Sequence, residues 1–159
     1  MSFIVLRRGN VEDLSVLKQL VIETICEHCK DDYTQKQLDA WVSAVQNDFR
    51  WLDVFEKQVV FVAESKDVIV GFCSLEDGDY IDMLYVAKDF QRKGTASLLL
   101  EAAEEQAKKK KQTKLEVDAS LTAKAFFEKQ GFVLVKELLV PIEGERLISL
   151  RMVKPFSQE

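Results

Sequence analysis

The chain has 159 residues, 47% of them apolar and 31% charged, with a formal net charge of −5. That length suggests one domain, residues 1–159, and the balance suits a soluble protein with its own core. The negative charge argues against a general nucleic-acid binder, which carries a basic face, and no apolar run approaches the roughly 18–20 residues needed to cross a membrane.

Phe3 to Arg7 reads as a first strand. Its apolar part is too short for a secretory signal, so the chain is expected in the cytoplasm. Asn10 caps a helix, with Asp13 at the third position, where a carboxylate suits the positive end of the dipole. Leu14, Leu17, Val21, Ile25 and Cys29 carry that helix on at spacings of three and four. Asp31-Asp32 interrupts it. Thr34 with Gln37 forms a capping box for a second helix through Leu38, Trp41, Val42 and Val45, and Trp41 on that stripe reads as core. Asp48 to Lys57 is expected to be a third, short helix.

Cys26, Cys29 and Cys73 are an odd set and imply no disulfide framework. Cys26-Glu27-His28-Cys29 has the form of a CxxC, but it lies near the end of a helix and has no second ligand pair for zinc. The plain reading is two small side chains a turn apart, and no metal is expected. Val59–Ala63 and Val68–Leu75 then read as a hairpin turning at Lys66-Asp67. Glu76 to Asp79 is a second turn, and Tyr80–Val86 a third strand. A helix from about Thr95 to Lys109 ends in lysines, which suit its negative pole. Leu115–Asp118 is a short strand, and Ser120 caps a helix that stops before Gly131, a left-handed C-cap. Phe132–Leu139 and Leu147–Val153 close the chain, with Pro141 and Gly144 in the turn between them. The order predicts a mixed α/β sheet, an antiparallel meander leading into a βαβ unit. A right-handed crossover sets the Leu115 strand parallel to the Tyr80 strand.

A helix entered from a strand offers free N–H groups and a positive dipole end, a ready site for phosphate. Gln91-Arg92-Lys93-Gly94-Thr95-Ala96 is such an entrance. Gly94 permits unusual dihedrals and a close approach, Ala96 keeps the wall low, and Arg92 and Lys93 add charge. Neither GxxxxGK[ST] nor GxGxxG is present. Taken alone, these six residues fit a plain strand-to-helix turn equally well.

The longer segment resembles the GNAT superfamily of acyl-CoA-dependent N-acetyltransferases. The superfamily signature Q/R-x-x-G-x-G/A is matched by Gln91, Gly94 and Ala96, after a strand ending Leu84-Tyr85-Val86. An AxxFFxKxGF segment follows at Ala123, Phe126, Phe127, Lys129, Gly131 and Phe132. YIDMLYV (80–86), VDASLTAKAFFEKQGF (117–132) and YTQKQLDAW (33–41) are similar to the bacterial YafP-like branch. The resemblance implies a GNAT-type fold with a splayed central strand pair and acetyl-CoA as co-substrate. It implies that the N–H groups of Arg92, Lys93, Gly94, Thr95 and Ala96, in the motif opened by Gln91, hold the diphosphate of coenzyme A. Backbone groups of Leu84, Tyr85 and Val86 would run beside the pantetheine arm, where a bulge opens the strand. An N–H near Leu84 or Tyr85 would polarise the thioester carbonyl. The implied reaction is direct attack by an amine of a small molecule or an exposed amino group.

Tyr80, Asp82 and Leu84 are expected to share one strand face. Asp82, a carboxylate in the apolar run IDMLYV, is the candidate base, since burial makes a carboxylate more basic. The alternative is a partner for a neighbouring backbone group or tyrosine. Many superfamily members place a tyrosine four residues before the glycine of the GF pair. This chain has Phe127 there, at the expected coenzyme wall, so the usual general acid is absent. Ser120 stands where an asparagine often touches coenzyme A, and its hydroxyl either serves as acid and contact or only caps a helix. The acceptor is expected between the N-terminal helices and the final hairpin, beside His28, Tyr33 and Tyr80. His28 is either a base or a helix-end cap, and Tyr33 fits a staple equally well. The competing function is an acyl-CoA sensor without efficient turnover. Edge strands of the final hairpin allow a homodimer as readily as a monomer.

Overall fold

The computed structural model describes residues 3–157. Strand β1 (Val5–Arg8) starts two residues later than expected and ends one later. Asn10 and Asp13 close a capping box around a single 3-10 turn, from which α1 (Leu14–His28) continues. Arg7 reaches across from β1 and holds the Asp13 carboxylate at 2.8 and 2.9 Å. The Thr34–Gln37 box starts α2 (Gln35–Val45) as expected, and Asn47 caps α3 (Asp48–Lys57).

The meander follows as β2 (Val59–Ser65), β3 (Val68–Glu76) and β4 (Tyr80–Val86). Lys66 and Asp67 both take positive φ, 51° and 65°, the two-residue turn whose twist matches paired strands. Helix α4 (Thr95–Lys109), β5 (Lys114–Ser120), α5 (Lys124–Lys129), β6 (Val133–Ile142) and β7 (Glu145–Pro155) complete the chain. The seven strands lie in the order β1-β2-β3-β4-β5-β7-β6, antiparallel except for β4 beside β5.

One sheet face carries α1, α2 and α3 over Leu17, Val21, Ile25, Trp51, Val62 and Phe72. The other carries α4 and α5 over Cys73, Leu75, Ile81, Leu99, Leu115 and Met152. Cys73 is wholly buried there as a packing residue.

Two local expectations are corrected. Pro141 is not in a turn: it lies inside β6 opposite Arg146, and the turn is Glu143-Gly144. β6 is the sheet edge, where a missing N–H interrupts no ladder. Ser120 closes β5 rather than opening a helix. Its hydroxyl does accept from the Ala123 N–H at 3.1 Å, but α5 begins at Lys124. Gly131 ends that helix at φ +96°, the left-handed position expected.

Candidate active site

The site is built by a fault in one strand. Ile81 pairs with Leu75 and Met83 with Ser74, so Asp82 is an extra residue on β4, a bulge. Parallel pairing with β5 stops at the same point, after Tyr80–Glu116 and Ile81–Val117. Beyond it the two strands part. The bulge breaks the alternation that would have set Tyr80, Asp82 and Leu84 on one face. Leu84 packs toward α4, whereas Met83 and Tyr85 pack toward α1 and Asp82 reaches α3.

The ladder on the other side of β4 fixes which backbone groups are free. The Ala87 N–H bonds to Val70 O at 2.8 Å. Alternation along an antiparallel pair then commits the N–H groups of Tyr85 and Met83 to β3 as well. Those of Leu84 and Val86 face the split. The Val86 carbonyl also faces it and is taken by the Gln91 side-chain amide at 3.0 Å. Gln91 thereby ties the end of β4 to the turn that opens α4.

That turn has two left-handed residues, Arg92 at φ +61° and Gly94 at φ +83°. A Cβ added at Gly94 would meet no atom within 4 Å. Its backbone is open to approach, at the positive end of a 15-residue helix. Thr95 points the other way, 1% exposed in the core with its hydroxyl unpartnered. Lys93 lies over the Phe90 ring at 5.4 Å. The N–H groups and cations here suit a diphosphate, and the open backbone leaves it room.

A cleft of about 880 Å³ runs from this turn along the split to the helical face. Leu84, Val86, Gln91, Arg92, Gly94, Ala96, Ser120 and Phe127 line it toward α4 and α5, while Asp82, Tyr85, His28, Tyr33, Trp41 and Arg50 line it toward α1–α3. Among the described residues no group of three or more His, Cys, Asp or Glu side chains is arranged to hold a metal ion.

Several side chains occupy themselves differently from expectation. Asp82 is not in apolar surroundings: Arg50 grips it at 3.1 and 3.2 Å, and the Gln58 amide donates to it at 3.0 Å. The Tyr80 hydroxyl is spent on Asp118 at 3.1 Å, a carboxylate that Arg151 also holds. Burial, with the charge of Asp118, pushes that phenol up. Tyr80 does not line the cleft. Tyr33 lines it with its ring, but its hydroxyl donates to Ile148 O at 2.9 Å and accepts from the Leu121 N–H at 2.9 Å. It joins β7 to the turn after β5. Trp41 is only partly buried and stands edge-on to Tyr33 at the cleft wall, not in the core. His28 ends α1 with Nε2 buried and unpartnered. Cys29 is buried and Cys26 exposed, both as free thiols. Phe127 is 3% exposed and packs against Phe126 and Phe132.

Arg50, Gln58, Asp118 and Arg151 escaped the sequence reading. No local pattern marks them, because their partners lie 24 to 38 residues away.

A mixed sheet thus splits before an open helix N-terminus, with a carboxylate at the split. The chain belongs to the acetyltransferase (GNAT) domain family, whose profile matches residues 29–153. It is 35% identical to the N-acetyltransferase YafP of Escherichia coli over 144 residues, 91% of each chain. The crystal structure of a GCN5-related N-acetyltransferase from Rhodopseudomonas palustris superposes with a TM-score of 0.94 at 35% identity, covering 98% of both chains. PaiA N-acetyltransferase from Thermoplasma acidophilum, solved with coenzyme A, shares the fold at a TM-score of 0.80 and 18% identity, over 97% of this chain and 99% of that one. The protein is an acetyl-CoA-dependent acetyltransferase.

Proposed function

We propose that the chain moves the acetyl group of acetyl-CoA onto the amine of a small molecule or an exposed amino group, by direct attack. One observation carries this reading: β4 and β5 part in front of α4, beyond Ile81–Val117, where the Leu84 N–H faces the split.

Acetyl-CoA supplies an acetyl group activated as a thioester. The N–H groups of residues 92–96, with the cations of Arg92 and Lys93, hold its diphosphate. The Thermoplasma relative of the same fold was solved with coenzyme A, which supports coenzyme A as the ligand. Gln91 keeps the strand end against this turn. Leu84, free of the ladder, donates to the carbonyl oxygen as negative charge builds there. Asp82 receives the proton of the acceptor ammonium, directly or through water. The new N–C bond forms as the C–S bond breaks. The thiolate leaves without great need of an acid, since an ordinary thiol has a pKa near 8.5. Ser120 keeps its O–H free to donate, because its oxygen accepts from Ala123. Three free cysteines suit the reducing cytoplasm.

Phe127 in place of a proton donor favours a second reading, an acyl-CoA sensor. Thiol release across a panel of amines, run beside calorimetry with acetyl-CoA, separates the two. Amine-dependent release supports the enzyme. Binding with no amine-dependent release supports the sensor. No binding refutes both.

A further inference from the structure

Arg50, Arg92 and Lys129 are the cationic side chains that line the cleft. Arg92 belongs to the phosphate turn and Lys129 ends α5. Arg50 stands on the acceptor side, and its manner of binding Asp82 is informative. It uses its two terminal nitrogens, end-on. Arg151 holds Asp118 side-on instead, through Nε at 2.9 Å and a terminal nitrogen at 3.1 Å. Each edge of a guanidinium can give a carboxylate two parallel hydrogen bonds, and side-on pairing uses the Nε edge. Arg151 has used that edge. Arg50 has kept it: its Nε–H has no partner among the described residues, and its side chain is 50% exposed.

We propose that Arg50 and Asp82 together form a zwitterion site, and that the acceptor is an amino acid. The proposal rests on the acetyl-transfer reading above and names its substrate. The acceptor ammonium faces Asp82, and its carboxylate takes the free edge of Arg50. The two protein charges touch at 3.1 Å, so their partners must also be close. An α-amino acid carries its nitrogen and carboxylate on one carbon. An ion pair that is neutral as a whole is best matched by a ligand that is neutral as a whole. A protein N-terminus lacks the adjacent carboxylate and leaves the Arg50 edge unmatched. Trp41, Val45, Ile142 and Leu147 line the cleft on its α1–α3 side, apolar surface on which an acceptor side chain can pack. Phenylalanine and leucine are suitable probes.

The test compares phenylalanine with phenethylamine and phenylalaninamide, which lack the carboxylate. Thiol release is measured for each and corrected for the fraction of free amine. A charge-assisted pair predicts a preference for phenylalanine on the order of 10- to 100-fold in kcat/KM. Arg50→Gln also disturbs Asp82 and slows every acceptor, so the ratio of phenylalanine to phenethylamine is the quantity read. That ratio falls to about one in Arg50→Gln, and Arg50→Lys, which keeps charge but not the fork, recovers part of it. Binding gives a second readout without turnover: 3-phenylpropanoate binds the wild-type protein in calorimetry and not Arg50→Gln. Equal use of the amine and the amino acid overturns the zwitterion site while leaving acetyl transfer intact. So does a ratio unchanged in Arg50→Gln. Acetyl-CoA binding with no release from any acceptor overturns the transfer reading and the zwitterion site with it.

Discussion

Replacing Gly94 by valine separates the phosphate turn from its backbone. Gly94 sits at φ +83°, and a Cβ there meets no atom within 4 Å. The cost to the fold is therefore only that of a left-handed β-carbon, about 1–2 kcal/mol. For a chain of this size that lowers Tm by roughly 2–8 °C. Gly144 provides an internal control. It has φ +85°, equally open surroundings, and a place in the β6–β7 turn rather than in the phosphate turn. Gly144→Val should cost the same stability. Only Gly94→Val puts methyl groups where the diphosphate meets the helix. Loss of one charge-assisted hydrogen bond, about 1.5–3 kcal/mol, weakens acetyl-CoA by about 10- to 150-fold. Calorimetry on both variants, below their melting ranges, reads the difference. Equal affinities in the two variants would refute the cradle, because the backbone penalty is then the whole effect.

Asp82→Asn should lower kcat/KM by about 10²- to 10⁴-fold at neutral pH, the range for a lost general base, with acetyl-CoA affinity unchanged in calorimetry. Phe127→Tyr restores the hydroxyl common in the superfamily. If the thiolate leaves unaided, kcat rises less than about tenfold, short of a general acid's usual contribution, in a thiol-release assay. The hydrogen bonds of Arg7 hold the Asp13 carboxyl below its ordinary range. A depressed carboxyl stabilises fully above its unfolded pKa of about 3.9 and loses that stabilisation as pH falls toward the folded value. Asp13→Asn should then be less stable at neutral pH and lose less on acidification, as read by urea melts at pH 7 and below pH 4.

Much of the frame was legible because its signals are local. The Asn10 cap, the Thr34 capping box, the Lys66-Asp67 turn and the Gln91–Ala96 entrance all act within six residues, and the structure places them as expected. The bounds of α3, β4 and α4 are the expected ones. The splayed strand pair and the bulge that opens it came from the family resemblance, which set the bulge beside Leu84 to Val86; the structure has it at Asp82. Whether Asp82 is a bulge depends on the register of β3, which residues 80–86 do not encode. Alternation predicts Leu84 on the face of Asp82, and one extra residue reverses it. Pro141 reads as a turn residue unless β6 is known to be an edge, a property of the whole sheet. Tyr33 reads as a staple or an acceptor contact, yet its hydroxyl bonds to Ile148, 115 residues away. The Arg50 pair likewise needs α3 folded over the split before it exists.

Among the described residues two rungs, Tyr80–Glu116 and Ile81–Val117, are all that join the leaves β1–β4 and β5–β7 as neighbours in the sheet. Whatever fills the gap beyond them becomes a keystone. Loading the protein should then slow amide exchange at Leu84 and Val86 far more than in the fully laddered β2–β3 pair, so that substrate is also a structural member of the enzyme it visits.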